Sequence, residues 1–465
     1  MSPKTKKNDD ATALPDPYAP GSGSPGYRVL RYVLDLECKL AGNRLDGRAR
    51  VSATALAELD RIELDLVGLT ASKILVDARK PARFAHRNGR LVITPAAPLP
   101  EGSRFELDIR YGGNPRPRRG PWGEIGWEEL EDGVLVAGQP TGAATWFPCN
   151  DHPSQKAPFE VRVSTDAGYR AVCNGTLVGH GRKASRESWH YVQEEPMATY
   201  LATLQIGRYG LESLAEAGTG TGHARHVAAE PLPRQDLAAP APLVPAARRA
   251  LARQPEMMAA FSEAFGPYPF GAYTVVVTED ELEIPLEAQG ISILGRNHLA
   301  PGWEQQRLIA HELSHQWFGN SLTAGAWRDI WMHEGFACYA EWIWSEASGG
   351  PDCTARARDA WSMLSRLPQD LRVGDPGPED MFDDRVYKRG ALAVHALRAS
   401  LGDHVFFAML RAWTGSRRHG TVDHACFVRH VDDHAPEGFS AEAVLAPWLF
   451  SESLPPFPAA APARP

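Results

Sequence analysis

The run His311-Glu312-Leu313-Ser314-His315, followed after eighteen intervening residues by Glu334, constrains this chain more than any other feature. Histidines at i and i+4 of a helix lie one above the other on one face, so both imidazoles can reach a single metal ion. Glu312, one residue after the first histidine, points to the side of that face, where it can hold a metal-bound water instead of ligating the metal. A third ligand has to come from elsewhere. Glu334, in Trp331-Met332-His333-Glu334-Gly335-Phe336, is the candidate. Two histidines and one carboxylate leave a fourth zinc position open to water, which is the arrangement of a catalytic site and not of a structural one.

The competing explanation is a pair of histidines that serve only a core or a surface, and the local pattern weighs against it. Residues 303–320 contain no proline, and Leu308, Ile309, Leu313, Trp317 and Phe318 recur at helical spacing. A helix is therefore predicted over 303–320, with Gly319-Asn320 as its stop. A second helix, predicted over 329–348, carries Glu334 near its start.

The rest of the chain divides around this site. Residues 1–26 are rich in Lys, Asp, Pro, Gly and Ser and are expected to be disordered. Residues 27–214 hold short alternating runs broken by Gly, Pro, Asn and Asp: 27–40, 48–55, 61–67, 90–94, 104–111, 133–139, 159–164, 170–178, 189–193 and 198–206. That spacing predicts an all-β domain, a sandwich or an open saddle-shaped sheet. The junction is placed in or just before the Gly/Pro-rich stretch 215–243, with a strand possible through His223–Ala228. Residues 215–452 are then predicted to form a mainly helical domain. Its helices are expected at 244–265 (kinked at Pro255), 303–320, 329–348, 353–365, 386–401, 403–413, 422–433 and 440–448, with strands at 273–278 and 290–294. Residues 453–465, rich in Pro and Ala, are expected to be loose.

Charge and composition exclude several classes. The formal net charge of −8 and the absence of a long Lys/Arg block argue against nucleic acid or an anionic membrane as partner. No run of 18 apolar residues occurs that could span a bilayer, and acids and prolines stand where a signal peptide needs its apolar core. Six scattered cysteines without a Cys-x-x-Cys pair favour reduced thiols. The expected residence is cytoplasmic.

The motifs together resemble peptidase family M1, the zinc aminopeptidases that include leukotriene hydrolase-like enzymes. The matching pieces are His311-Glu312-x-x-His315 with Glu334, inside Trp327-x-Asp329-Ile330-Trp331-Met332-His333-Glu334-Gly335-Phe336-Ala337. Upstream, Trp146-Phe147-Pro148-Cys149-Asn150-Asp151-x-Pro153-x-x-Lys156 resembles the family's Phe-Pro-Cys-x-Asp-x-Pro segment, and Gly266-Pro267-Tyr268-Pro269-Phe270 its Tyr-Pro-Tyr approach to the site. The resemblance implies a β-rich N-terminal domain followed by a thermolysin-like zinc catalytic domain, one Zn²⁺ per chain on His311, His315 and Glu334, and Glu312 as proton acceptor. It also implies that the long helical C-terminal domain of larger members is missing. A more open cleft is then expected, or one roofed by another chain; the oligomeric state is left open.

The family's Gly-Ala-Met-Glu-Asn segment corresponds to Ile284-Pro285-Leu286-Glu287-Ala288-Gln289-Gly290. The glutamate survives as Glu287, while Ile284 and Ala288 replace the usual Gly and Asn. By resemblance Glu287, Gln139 and Gly290 bind the substrate, the first two at its free α-amine; an ammonium leaving water requires an anionic partner. The two replacements are expected to alter substrate binding without loss of the metal. Glu279, Asp280, Glu281 and Glu283 read as a solvated acidic loop or as an attractor of cationic N-termini. Tyr387, in Val386-Tyr387-Lys388-Arg389-Gly390, matches the family's oxyanion-stabilising tyrosine, a donor aimed at charge that develops in the transition state. His333 is a candidate hydrogen-bond partner behind the ligands, or else exposed. The expected activity is removal of N-terminal residues from peptides with a free N-terminus. The alternatives are a zinc endopeptidase with altered N-terminus recognition and a non-catalytic zinc-containing peptide-binding protein, with epoxide hydrolysis a narrower variant disfavoured by the short C-terminus.

Overall fold

A computed structural model describes residues 15–218 and 231–458. Its N-terminal half is all β. Tyr27–Lys39 shows why: Tyr27, Val29, Tyr32, Leu34, Leu36 and Cys38 are buried along one face, with a bulge between Val29 and Arg31 that restores the alternation. This strand sits at the centre of a seven-stranded sheet. It pairs antiparallel with Arg44–Ala55 and parallel with Lys156–Asp166; Arg104–Gly113 and Thr70–Val76 extend one side, Arg186–Ala198 and Thr176–Lys183 the other. A five-stranded sheet and a three-stranded sheet complete the domain. Strands Thr70–Val76, Arg83–Arg87, Arg118–Gly120 and Gly123–Leu130 were not expected from the sequence; they are edges or edge neighbours whose apolar alternation is broken by charged residues.

The second half opens on a mixed sheet of five strands, β1 (Tyr209–Ala215), β2 (Arg234–Pro240), β3 (Ala272–Thr278), β4 (Leu286–Ala288) and β5 (Ile291–Gly295), in the order β1-β2-β3-β5-β4. This sheet draws β1 from residues before 215. The strand expected through His223–Ala228 lies outside the described residues. β4 is the outer edge, antiparallel to β5 with Glu287 opposite Ser292.

Nine α-helices follow or flank this sheet among the described residues: α1 (Val244–Ala250), α2 (Gln254–Phe265), α3 (Trp303–Ser314), α4 (Trp331–Ala347), α5 (Cys353–Leu364), α6 (Asp384–Leu401), α7 (Asp403–Ser416), α8 (His424–His434) and α9 (Ala441–Leu449). One apolar core runs through both halves.

Four expectations are corrected. The span 244–265 is two helices: Pro255 stands in the first turn of α2, where its missing N–H costs nothing, so it starts a helix instead of kinking one. Helix α3 ends at Ser314, not at 320. The chain then widens into turns in which the N–H groups of Asn320, Ser321 and Leu322 bond to carbonyls five residues back. Of the tail expected to be disordered, residues 15–26 are packed. Asp16 is 2% exposed and accepts the Trp327 N–H at 2.7 Å, and the Tyr18 hydroxyl accepts the Gly377 N–H at 2.7 Å and donates to Asp375. Of the C-terminal tail, residues 453–458 are docked. Arg389 gathers the carbonyls of Pro447, Ser451, Glu452 and Ser453, and Trp361 Nε1 donates to the Pro455 carbonyl at 2.8 Å. Composition misleads at both ends, because a few buried hydrogen bonds outweigh local sequence bias.

Candidate active site

The site is assembled by two helices and an edge strand. His311 and His315 stand one turn apart at the end of α3, their rings 4.8 Å apart. Glu334, in the first turn of α4, brings Oε2 to 3.4 Å from His311 Nε2 and 3.5 Å from His315 Nε2. One donor atom from each of the three lies within 4.8 Å of the others, and all three residues are buried. The histidines push the Glu334 carboxyl well below the usual range, against the effect of its burial.

Each imidazole has its far nitrogen committed. His311 Nδ1 lies 2.8 Å from Glu341 Oε1, and His315 Nδ1 lies 3.0 Å from the Phe318 carbonyl. These contacts turn both Nε2 atoms toward Glu334, the orientation a metal needs; against burial, Glu334 foremost pushes the imidazoles up, to about 9 for His311 and about 10 for His315. Glu312 is 4% exposed, and its Oε2 has no hydrogen-bond partner among the described residues. Burial foremost pushes its carboxyl up to about 7. A buried carboxylate oxygen without a partner, beside two imidazoles turned toward one carboxylate, is costly unless an ion or its water completes the set. The donor set therefore fits one Zn²⁺, with Glu312 outside the ligand shell.

Glu287, on the edge strand β4, offers a carboxylate oxygen within 4.8 Å of donor atoms on Glu312 and His315. Burial above all pushes its carboxyl up. Ile284 is 61% exposed, so its side chain turns to solvent and does not crowd the strand. The Gly290 N–H donates to Gln316 Oε1 at 2.7 Å, so that amide is committed within the protein. Gln139 follows the strand Gly133–Ala137, and its buried Nε2 lacks a partner among the described residues.

Tyr387 reaches the cluster because two helices touch. Gly335 on α4 and Gly390 on α6 meet backbone to backbone; a Cβ on Gly335 would lie 2.8 Å from the Gly390 carbonyl carbon. That approach brings the Tyr387 ring over His311, with centroids 5.9 Å apart and planes 22° from parallel. Burial, then Glu334, Glu287 and Glu312, hold the phenol well above its usual range, so it stays a donor.

His333 is buried, not exposed. Its Nε2 accepts the Ala324 N–H at 2.8 Å and burial pushes it down to about 3, so it serves as a neutral acceptor for the chain leaving α3. Lys156 from the N-terminal domain braces the same stretch, its Nζ donating to the carbonyls of Asn320 (2.9 Å) and Ser321 (2.8 Å) and to Thr323 Oγ1 (2.9 Å). Glu341, Gln316 and the Phe318 carbonyl were not anticipated from the sequence. Only Glu341 left a signal, standing two helical turns after Glu334. A surface cavity of about 550 Å³ on the seven-stranded sheet lies away from this cluster, and in it Arg162 already pairs with Asp35 at 3.2 Å.

Comparison with known proteins places the whole chain beside one family. The chain matches the peptidase family M1 domain over residues 249–448 and the peptidase M1 N-terminal domain over residues 28–201. It is 25% identical to aminopeptidase B of Mus musculus over 95% of this chain and 68% of that protein. It is 24% identical to leucyl aminopeptidase of Saccharolobus solfataricus over 82% of this chain, spanning 48% of that protein's length. The M1 zinc metallopeptidase of Deinococcus radiodurans superposes with a TM-score of 0.86 at 28% identity, over 96% of this chain and 98% of that one. A mutant of that enzyme has been solved with a Tyr-Ser-Ala substrate (TM-score 0.85, 28% identity, 95% and 98% coverage).

Proposed function

The chain belongs to peptidase family M1 and is a zinc metallopeptidase of that family, and from this we propose that it is an aminopeptidase acting on peptides with a free N-terminus. The observation that carries the reading is the unpartnered, buried Glu312 carboxylate beside two histidines whose Nε2 atoms face Glu334. His311, His315 and Glu334 would hold the ion. When bound, zinc supplies Lewis acidity that lowers the pKa of a water and polarises a carbonyl.

The chain's own groups then divide the work. Glu312 takes a proton from the attacking water and passes it to the leaving amine. Tyr387 donates to the oxygen that gains charge as the carbonyl becomes tetrahedral. Glu287 pairs with the substrate ammonium and Gln139 supports it, so that the first peptide bond would be the one presented to Glu312 and Tyr387. β4 is the last strand of its sheet, a position from which Leu286 and Glu287 could pair with an extended peptide. Six free, buried cysteines are in keeping with a reducing compartment such as the cytoplasm, and no described helix is long and apolar enough to cross a membrane.

The decisive experiment is mass spectrometry of one peptide, offered free and N-acetylated, with and without a chelator. Stepwise loss of N-terminal residues from the free peptide only, stopped by chelation, is expected. Internal cleavage of both forms would replace this reading with an endopeptidase.

A further inference from the structure

The residue after the second histidine spans the gap between the metal helix and the strand that carries Glu287. Gln316 is fully buried, and its side-chain amide makes two backbone bonds around one turn. Its Nε2 donates to the Ala288 carbonyl at 3.1 Å and its Oε1 accepts the Gly290 N–H at 2.7 Å. Asn320, also fully buried, donates a second hydrogen bond to the Ala288 carbonyl at 2.9 Å. The other side of the turn is held by the N-terminal domain, where Asn174 Nδ2 donates to the Gln289 carbonyl at 2.9 Å.

β4 is three residues long and is bonded along one side only, to β5. A strand so short and so placed has little intrinsic stiffness. The position of Glu287 relative to His315 therefore depends on what ties its neighbour Ala288 to the chain leaving α3. A primary amide donates and accepts in one plane from adjacent atoms, as a peptide group does, so it can act as a one-residue strand across the Ala288–Gly290 turn. The wide turns after Ser314 are what aim Gln316 and Asn320 at that strand.

We propose that Gln316 is the positioning residue that sets the spacing between the zinc ligands and the Glu287 carboxylate, and with it the selection of a free N-terminus. This rests on the aminopeptidase reading above. Gln316 directs both its side-chain hydrogen bonds to backbone atoms of the Ala288–Gly290 turn and not to the ligand side chains. Its loss should loosen amine recognition while leaving zinc binding and proton transfer by Glu312 in place.

The test compares wild type with Gln316→Ala and Gln316→Met on one short peptide, free and N-acetylated, with zinc content and melting temperature measured on the same samples. Loss of two buried hydrogen bonds should raise KM for the free peptide about 5- to 20-fold, with kcat within about threefold. Preference for the free over the acetylated form should fall by a similar factor, with zinc near one per chain. Unchanged KM and unchanged preference in a folded, zinc-loaded variant would overturn the proposal. So would a parallel fall of kcat and zinc content, which would mark a general structural role. Should the alanine variant fail to fold, the near-isosteric methionine variant decides by the same criteria. Wild type that cuts both peptide forms alike would instead remove the aminopeptidase reading, before any variant is compared.

Discussion

Gly335 and Gly390 touch through their backbones, and a Cβ built on Gly390 would lie 2.9 Å from the Gly335 Cα. Each glycine is tied in sequence to a functional side chain: Gly335 follows Glu334, and Gly390 lies three residues after Tyr387. The close crossing thus sets how near the phenol comes to the ligand cluster. The Gly390→Ala substitution should push α6 outward at a cost of about 1–3 kcal/mol. It should lower kcat by about tenfold or more by misplacing Tyr387, with zinc content retained. Kinetics on the zinc-replete variant check this, and a kcat equal to wild type would show that the phenol's position does not depend on the crossing.

Glu341 is predicted to matter for metal retention and not for the proton transfer itself. It is 3% exposed, and its Oε1 holds His311 Nδ1, while Arg307 approaches Oε2 at 3.6 Å. Replacing it with Gln keeps the shape and removes the charge that orients the imidazole. Zinc affinity should fall about 10- to 100-fold. Competition with a chromophoric chelator measures this, and an affinity within twofold of wild type would count against the assignment.

Lys156 links the two domains beneath the site. The substitution Lys156→Met leaves the Asn320 and Ser321 carbonyls without their buried donor, which should cost about 2–4 kcal/mol. Urea unfolding at neutral pH is the measurement. A loss below about 1 kcal/mol would mean that water replaces the ammonium.

His395, 5% exposed on α6, is held neutral: burial first, then Arg398, push it down to about 4. Its folded pKa lies below the ordinary value near 6.5, so between the two the unfolded chain binds the extra proton. Its contribution is complete above about pH 6.5 and is lost as the pH falls toward 4, by up to about 3 kcal/mol. Urea midpoints between pH 7 and 4.5 should fall more steeply for wild type than for His395→Phe. Parallel slopes would exclude His395 as a source of acid sensitivity.

The candidate metal cluster was legible in the sequence because the geometry of its histidine pair is local. An i, i+4 pair on a helix fixes His311 and His315 before any tertiary structure exists, and the helix that bears Glu334 carries its own apolar pattern. The strands of the N-terminal domain were legible where one face is buried and were missed where charged residues interrupt the alternation. The Gln316 clamp, the Lys156 brace and the Gly335–Gly390 crossing were not, since each joins residues far apart in the chain through bonds that carry no periodic signal. The end of α3 was missed for a related reason. Gly319 offers a stop, but the helix ends earlier, at Ser314, where the chain turns to reach β4.

The tie between Tyr18 and Gly377 spans 359 positions, and that between Asp16 and Trp327 spans 311. During synthesis the early partner leaves the ribosome long before the late one exists. Gly23 and Ser24 can bind Asp65 and Asn150 as soon as the N-terminal domain forms, but Asp16 and Tyr18 must wait, carboxylate and phenol still in water, while both domains are made. The docking of these two residues can only be a closing event, and the lead to α4, which holds Glu334, gains its Asp16 bond only then. A fusion partner joined ahead of residue 15 would emerge beside that lead, which makes this junction the place to ask whether assembly ends where it began.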